Sequence, residues 1–396
     1  MRMMLGSESY YPNVDGGAVA ERQLALRMAR RGHSVQVIAP SFKGMRNYTE
    51  VDGPTTIHRP GAVTFPLYKE YKATIHPFPW IDSLVASFRP DIIHIHNPYP
   101  IGYALLKSAK RRGIPVVGSN HLMPENFFMT VRKLSFLYRP LKRMGWAFIA
   151  RFYNRCAAAI SPSKTAIGLL KSNGLKVPGY PMSNGVDLTR FKPGLDGSYL
   201  RRIYRIPENH AVVLYAGRLG GEKSLDVLIR AFARLPLATK ATLVFSGTGP
   251  DAATLRSLSE SLGLGSRMRF VGFVPDRDFP FLYAMADIFA IPSTAELQSI
   301  VTLEAMGCGL PVVAADSNAL PELCHHGENG LLFPPFRPDR MAACLRTLLS
   351  SPSMRARMGA ASRRIVRPHD YGQVIGRFEA LYLEVIESFR KRKQGN

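Results

Sequence analysis

The chain has 396 residues, 46% of them hydrophobic and 20% charged, a composition typical of folded globular proteins and long enough for two domains with separate cores. Its formal net charge is +23, and residues 1–185 hold 25 of the 52 basic residues but only 9 of the 29 acidic ones. No apolar run approaches the roughly 18 residues of a membrane-spanning helix. The short apolar start favours a first strand over a signal peptide, and the four cysteines lack metal-ligand spacing, so we expect a cytosolic protein with reduced thiols.

Short apolar strands alternate with helical stretches through the first half of the chain. We expect strands at 1–6, 34–39, 92–96 and 116–119. An amphipathic helix is expected over residues 21–31, between the first two strands. Alternation of this kind predicts an α/β domain whose parallel sheet is covered by helices on both faces.

Candidate ligand-contacting residues follow two of these strands, at the carboxyl ends where open α/β sheets bind ligands. Gly17 lies in a glycine pair after the first strand and lets the backbone approach a phosphate or an acceptor, although such a pair is often only a turn. His121 follows the fourth strand and is a candidate functional histidine. His94 and His96 alternate along the third strand, and we expect them to pack within the sheet.

Residues 126–156 contain seven basic residues and no acidic one, interleaved with aromatic side chains. Residues 141–156 have helical spacing, and we expect their aromatic side chains to pack in the core. Residues 126–139 have poorer periodicity, and their mixture of rings and cations favours contact with lipid and with an anionic membrane surface. The candidate membrane-contacting residues are Phe127, Phe128, Arg132, Lys133, Phe136, Tyr138 and Arg139. No nucleic-acid-binding motif is present, so we do not expect a nucleic-acid partner.

Residues 178–210 are rich in Pro, Gly and Asn and predict an interdomain linker. A second alternating series of strands and helices starts at Ala211, and a long amphipathic helix is expected over residues 372–390. We therefore place a first domain at 1–178 and a second at 179–369.

A loop with two cations follows the first strand of this second series. The apolar strand ends at Gly217, the loop carries Arg218 and Lys223, and helical spacing runs over 224–234. Cations on a glycine-containing loop beside a helix start are suited to a phosphate.

Two carboxylates lie eight positions apart further along the chain. A buried strand is expected over 287–292 and a helix over 299–306, which places Glu296 in the loop and Glu304 on the helix. The backbone N–H groups at such a helix start are suited to a diphosphate, and the two carboxylates can accept hydrogen bonds from ribose and hexose hydroxyls. The layout favours a nucleotide sugar as ligand.

Seven segments in order carry a family resemblance: YYPNVDGGAV, RPDIIHIHNP, SNGVDLTRF, YAGRLGGEK, SGTGP, VGFVP and the E-x7-E block. With them the chain resembles the retaining glycosyltransferases of family four, which have the α/β GT-B fold of two Rossmann-like, doubly wound parallel-sheet domains facing across a cleft. The strings SNHLMPEN and PNVDGGAV are most similar to those of diacylglycerol glycosyltransferases.

The resemblance implies roles for individual residues. Glu304 is expected to bind the ribose hydroxyls, and Glu296 the sugar hydroxyls. His121 is expected to contact the transferred sugar and, with Glu296, to support the reaction. The backbone N–H groups of Ser299 and Ile300 are expected to approach the diphosphate.

Further donor contacts are expected beside these. Arg218 and Lys223 are candidates to stabilise the negative charge of the departing nucleoside diphosphate without a metal, and no cofactor is implied. The family's Gly-Phe-Gly is replaced here by Leu297-Gln298-Ser299, which limits how closely the backbone wraps the sugar and adds an amide able to read a hydroxyl. The final helix is implied to cross back to the first domain.

The resulting hypothesis is transfer of a hexose from a nucleotide sugar, UDP-hexose by preference, to diacylglycerol or a related lipid by a peripheral protein on the inner face of the cell membrane. One alternative is a soluble or phosphorylated acceptor. Another is a GDP-mannose-dependent mannosyltransferase acting on a phospholipid or glycolipid. A non-catalytic nucleic-acid-binding protein on this fold is a further reading, against which the retained charged residues of the two loops argue.

Overall fold

The computed structural model describes residues 1–13, 15–65, 68–125 and 138–394. These form two compact units. The first unit comprises residues 1–124, 138–184 and 372–394, and the second comprises residue 125 and residues 185–371. In the part of the chain that is described, no helix combines the length and the apolar character needed to span a membrane.

The first unit contains an eight-stranded sheet and a separate antiparallel pair. Its strands are β1 (Arg2–Gly6), β2 (Ser34–Ile38), β3 (Tyr48–Asp52), β4 (Thr55–Arg59), β5 (Ala62–Phe65), β6 (Tyr68–Thr74), β7 (Ile92–Ile95), β8 (Val116–Ser119), β9 (Ala158–Ser161) and β10 (Gly179–Pro181). Its first helices are α1 (Gly16–Arg30), α2 (Phe78–Phe88), α3 (Pro100–Arg112), α4 (Tyr138–Tyr153) and α5 (Lys164–Ser172).

The strand order of the large sheet is β10-β9-β8-β7-β1-β2-β4-β3, and β5 pairs with β6 apart from it. Every strand pair in this sheet is parallel except β3 with β4. The predicted parallel sheet is confirmed, and it carries one antiparallel edge strand because the turn between β3 and β4 is too short for a parallel crossover. Gly53 in that turn has a φ of 56°, the left-handed conformation that glycine adopts most easily.

The second unit is built on a six-stranded sheet in which every pair is parallel. Its strands are β11 (Ala211–Ala216), β12 (Ala241–Ser246), β13 (Met268–Gly272), β14 (Ile288–Ile291), β15 (Val312–Ala315) and β16 (Gly330–Phe333), in the order β13-β12-β11-β14-β15-β16. The helices after α5 are α6 (Ser198–Ile203), α7 (Leu225–Ala233), α8 (Ala252–Ser261), α9 (Phe279–Ala284), α10 (Ile300–Gly307), α11 (Pro338–Leu349), α12 (Pro352–Ile365) and α13 (Tyr371–Gln394). Apart from Ala211 at the start of β11, the central strands are fully buried, as their apolar runs predict.

Helix α13 returns to the first unit from Gly372 onward. Its buried side chains, among them Val374, Phe378 and Tyr382, join the core formed with β1 and β2. The Tyr382 hydroxyl lies 2.7 Å from Nδ1 of His94 on β7. The last helix therefore completes a core whose other members come from the start of the chain.

Two predicted boundaries differ from those observed. Strand β10 lies beyond residue 178 and pairs with β9, so the first unit extends to Asn184, and the expected linker also contains α6. Helix α1 begins five residues before the predicted start at residue 21, because the Asp15 side chain accepts a hydrogen bond from the Ala18 N–H and caps the helix there.

Candidate functional site

The charged loops of the second unit meet where the strand order of the sheet reverses. Strand β11 is flanked by β12 on one side and β14 on the other. The loops after β11 and β14 therefore diverge to opposite faces and open a crevice at their carboxyl ends, the usual ligand position in such sheets. Arg218 and Lys223 follow β11, and Glu296 and Glu304 follow β14.

Lys223 and Glu296 form an ion pair at this position. The Lys223 Nζ donates a hydrogen bond of 2.8 Å to Glu296 Oε1, and the side chains are 20% and 10% exposed. The sequence indicated both residues separately but not their pairing, which depends on the adjacency of β11 and β14. In this state each charge compensates the other, so a bound sugar or phosphate would exchange these contacts for its own.

Arg218 is more accessible than Lys223. Its guanidinium lies 3.8 Å from Glu222 and its side chain is 53% exposed. Its carbonyl accepts a hydrogen bond of 2.8 Å from the Tyr215 hydroxyl at the end of β11. The backbone is thus fixed while the charged end remains open to an anion.

The loop after β12 contains the glycines of the SGTGP segment and packs closely against the loop that carries Arg218. A Cβ on Gly247 would lie 1.9 Å from the Gly217 carbonyl oxygen, and one on Gly249 would lie 2.2 Å from the Leu219 carbonyl oxygen. The Leu219 N–H donates to Thr248 at 2.9 Å. Only residues without a side chain permit this close approach of the two loops.

Glu304 lies on α10 and is held by Tyr283. The Tyr283 hydroxyl donates a hydrogen bond of 2.8 Å to Glu304 Oε2. Burial raises the pKa of Glu304 to about 7, against the lowering effects of the Tyr283 hydrogen bond and the positive charge of Arg190. Arg190 in turn pairs with Asp276 at 2.8 Å. The sequence did not single out Tyr283, which lies outside the seven family segments, or Arg190, which lies within SNGVDLTRF but had no role assigned to it.

Backbone donors lie at the start of α10. Ser299 is the N-cap, and its Oγ accepts from the Thr302 N–H at 3.3 Å. The N–H groups of the first helical residues, beginning with Ile300, have no acceptor within the helix and give its N-terminus positive potential. Of the two residues that replace family glycine and phenylalanine, Leu297 is buried and Gln298 is partly exposed.

The segment Asp276-Arg277-Asp278, directly after VGFVP, has two carboxylates at a spacing that resembles a metal-binding motif, but both are engaged in protein contacts. Asp276 pairs with Arg190, and Asp278 accepts a hydrogen bond of 3.1 Å from the Tyr199 hydroxyl.

In the first unit, strand order reverses between β1 and β7, and the predicted residues lie there. A Cβ on Gly17 would be 3.2 Å from Asp15 Oδ1 and 3.8 Å from His121 Cβ. The structure therefore brings Gly17 and His121 together. The nearest additional group is the carboxylate of Glu21, 4.0 Å from the same point.

His121, which is partly exposed, contacts the buried His96 in a cluster that also contains the buried Glu21 and that the sequence did not indicate. Its Nε2 lies 3.4 Å from His96 Nδ1, and the two rings are stacked at 16°. Glu21 Oε1 lies 3.5 Å from the same His96 nitrogen. The only sequence signal for Glu21 is a carboxylate on the otherwise apolar face of α1.

Burial dominates the protonation of this cluster. It lowers the pKa of His121 to about 4 and that of His96 well below its ordinary value, so both imidazoles are neutral near pH 7. Burial raises the pKa of Glu21 well above its ordinary value. His94 differs in role: its ring bonds Ser119 and Tyr382 at 2.7 Å each, the packing function expected for it.

Tyr138 and Arg139 are the first two residues of α4. The other five predicted membrane contacts, at positions 127, 128, 132, 133 and 136, lie outside the described residues. Within α4, Trp146 and Phe152 are buried and Phe148 is 47% exposed, so most but not all of its aromatic side chains pack in the core.

Comparisons with known proteins agree with this architecture. Residues 14–190 match the family model "Glycosyltransferase Family 4", and residues 198–365 match "Glycosyl transferases group 1". The chain is 31% identical over 340 residues to the sulfoquinovosyl transferase SQD2 of Arabidopsis thaliana, covering 83% of this chain and 63% of that relative. It is 25% identical to the alpha-monoglucosyldiacylglycerol synthase of Streptococcus pneumoniae, covering 98% and 87% respectively. A GDP-mannose-dependent alpha-mannosyltransferase of Corynebacterium glutamicum is 28% identical, with 84% and 76% covered.

Solved structures show the same fold. The sucrose-phosphate synthase of Thermosynechococcus elongatus superimposes with a TM-score of 0.80 at 20% identity, covering 98% of this chain and 99% of that one. Anabaena HepE in complex with UDP gives 0.77 at 21% identity, covering 97% and 100%.

Two doubly wound sheet units with these neighbours define a glycosyltransferase of the GT-B fold. Within that class, the resemblance to family four and to its diacylglycerol glycosyltransferases is confirmed.

Proposed function

We propose that the protein transfers a hexose from a nucleotide sugar to diacylglycerol or a related lipid, with retention of configuration and without a bound metal, as a peripheral protein on the inner face of the cell membrane. Binding of the nucleotide sugar is supported above all by the ion pair of Lys223 and Glu296, which lies where the strand order of the second sheet reverses, beside the N-terminus of α10. This arrangement supplies a cation, a hydroxyl acceptor and backbone donors within one crevice.

Departure of the nucleoside diphosphate places negative charge on its phosphates. The backbone of Arg218 is fixed by Tyr215, and its guanidinium is exposed. The Lys223 ammonium becomes available to the phosphates when a sugar hydroxyl replaces it at Glu296. Together with the N–H groups of Ser299 and Ile300, they stabilise the developing charge.

The remaining contacts to the nucleotide sugar are hydrogen bonds that carboxylates accept from its hydroxyl groups. Glu304 binds the ribose hydroxyls and Glu296 the hexose hydroxyls, with Leu297 and Gln298 bordering the sugar. We assign His121 a contact with the transferred sugar, together with Gly17 at its side, as the family resemblance implies. Its neutral imidazole is able to accept or donate a hydrogen bond.

The lipid acceptor is supported by full-length relatives. Alpha-monoglucosyldiacylglycerol synthases align over 98% and 99% of this chain, one from Streptococcus pneumoniae and one from Acholeplasma laidlawii. The GDP-mannose-dependent mannosyltransferases, at 28% and 27% identity, support the second candidate, mannosyl transfer. UDP is the preferred nucleotide of this proposal because solved structural neighbours carry UDP and UDP-glucose.

The test measures release of nucleoside diphosphate from UDP- and GDP-hexoses, with diacylglycerol in anionic vesicles, in neutral vesicles or absent. We expect release from a UDP-hexose that requires diacylglycerol and increases with anionic lipid. Release from GDP-mannose alone would favour the mannosyltransferase, and stimulation by a soluble sugar or phosphosugar would contradict the lipid acceptor.

A matched pair of variants tests the site itself. Glu296→Gln is expected to abolish most transfer, whereas Glu208→Gln, an exposed carboxylate before β11 at the opposite end of the strands, is expected to retain it. Equal activity of Glu296→Gln and the unaltered protein would contradict the assigned site.

A further inference from the structure

The cluster of Glu21, His96 and His121 combines groups that typically bind a transition metal. One carboxylate and two imidazoles are a recurrent three-ligand set for zinc, which leaves a fourth position open. The three residues come from different places in the first unit: Glu21 from α1, His96 from the end of β7 and His121 from the loop after β8. The fold, not local sequence, brings them together, so no spacing motif announces the site.

The distances are compatible with a coordination shell as well as with the long hydrogen bond between the two imidazoles. In a tetrahedral site with bonds of about 2.0–2.1 Å, neighbouring ligand atoms lie roughly 3.3–3.4 Å apart. His96 Nδ1 lies 3.4 Å from His121 Nε2 and 3.5 Å from Glu21 Oε1. Good hydrogen bonds between such atoms would be about 2.7–3.2 Å long.

The third pair also lies within reach. One oxygen of Glu21 and one nitrogen of each histidine all lie within 4.8 Å of one another.

Unsatisfied polar atoms support a missing ligand. Glu21 is 2% exposed, and its Oε2 has no hydrogen-bond partner. Leaving a buried carboxyl oxygen unpaired is unfavourable, so an occupant is expected. The negative charge of Asp15 acts on both Glu21 and His121 and favours a cation at this place.

Space for the fourth position lies at Gly17. A Cβ on that residue would lie 3.2 Å from Asp15 Oδ1, 3.8 Å from His121 Cβ and 4.0 Å from Glu21 Oε1, so glycine keeps this side of the cluster free of a further side chain. A water molecule or a substrate oxygen would complete the shell there.

We infer that Glu21, His96 and His121 form a binding site for a zinc-class divalent cation in the first unit. The cation is not a participant in transfer: by occupying His121 Nε2 it competes with the sugar for that nitrogen, so bound zinc inhibits the enzyme. This inhibitory consequence rests on the proposed function of His121, whereas the binding itself does not.

Binding is measured first, on the full-length chain, with Co²⁺ as a spectroscopic probe of Zn²⁺ sites. We expect one Co²⁺ per chain with the visible absorption of a four- or five-coordinate site, displaced by Zn²⁺. Glu21→Gln and His96→Gln are each expected to weaken binding by at least about 10-fold. His94→Gln is the matched control, a buried histidine on the same strand whose ring bonds Ser119 and Tyr382 instead.

The outcomes separate binding from inhibition. Absence of saturable Co²⁺ binding, or equal binding by the unaltered protein and both ligand variants, overturns the site, provided that circular dichroism shows the variants folded. If the site binds, Zn²⁺ is expected to reduce transfer and a chelator to restore it. Binding without inhibition would overturn the role assigned to His121 while leaving the metal site intact.

Discussion

The carboxyl group of Glu304 shows how one side chain links the site to the stability of the fold. Its pKa in the folded protein is about 7, against an ordinary value of 4.5, because burial disfavours the charged form. The folded state therefore binds a proton that the unfolded chain has already released between these pH values. The associated stability is present below about pH 4.5 and is lost as the pH rises through about 7.

Glu304→Gln is expected to remove this pH dependence while preserving the shape of the side chain. The free energy of unfolding of the unaltered protein should fall between pH 5 and pH 8 by on the order of 2–3 kcal/mol more than that of the variant. Denaturant unfolding at the two pH values, followed in the second unit, measures the difference. Parallel pH profiles for the two proteins would show that Glu304 titrates normally.

Lys223 carries the corresponding prediction for the reaction. Lys223→Gln removes a cation that stabilises the departing diphosphate, so kcat is expected to fall by roughly 10²-fold. Lys240→Gln, at an exposed position before β12, serves as the control. Steady-state kinetics with the preferred sugar donor measure the effect. A change in KM alone for Lys223→Gln would indicate that Lys223 contributes only to binding.

At this scale the sequence predicted charged residues but not their partners. Arg218, Lys223 and Glu296 were recognisable because each lies in a loop after a predicted strand. Glu304 was recognisable because it lies on the predicted helix of the E-x7-E block. The pairing of Lys223 with Glu296 and the contact of Tyr283 with Glu304 depend on strand order, which one chain's periodicity does not encode. Glu21 was missed for the same reason.

The elements of the second unit are held by backbone contacts that glycine alone permits. Gly249→Ala would place a Cβ 2.2 Å from the Leu219 carbonyl oxygen, so the loops after β11 and β12 would have to separate. We expect a loss of about 1–3 kcal/mol in the free energy of unfolding and weaker binding of nucleotide. Gly265→Ala is the matched control, since nothing lies within 4 Å of its added Cβ.

Thermal unfolding and nucleotide titration of the two alanine variants provide the measurement. Equal effects at both positions would mean that the close approach of the loops is unimportant.

The predicted positions of the central strands agree with those observed to within a residue or two, because a buried parallel strand is a continuous apolar run. The edges agree less well: β10, α6 and the antiparallel β3 carry little apolar pattern, so their sequences resemble those of loops.

At the scale of the whole molecule, the uneven charge predicts an electrostatic contribution to membrane binding. Affinity for anionic vesicles is expected to exceed that for neutral ones and to fall as salt rises from about 0.1 M to 1 M, where the screening length shortens from about 10 Å to 3 Å. Sedimentation with vesicles measures this. Salt-independent binding would favour insertion of apolar side chains over attraction of charges.

Two charge-matched variants distinguish local from bulk charge. One combines Arg132→Gln with Lys133→Gln, in the predicted membrane segment, and the other combines Lys391→Gln with Arg392→Gln, near the end of α13. We expect the first to reduce vesicle binding more strongly. Equal reductions would mean that net charge, not the segment 126–139, determines attachment.

The return of α13 to the first unit also determines the order in which the chain can mature during its synthesis. His94 and Tyr382 are 288 residues apart, so the chain must be synthesised through Tyr382 before the first sheet receives its last buried layer. The second unit is nearly continuous in sequence and has all its strands available earlier. The nascent chain therefore passes through a stage in which the downstream unit is complete while the upstream one still exposes apolar surface, the stage at which chaperones would be needed most.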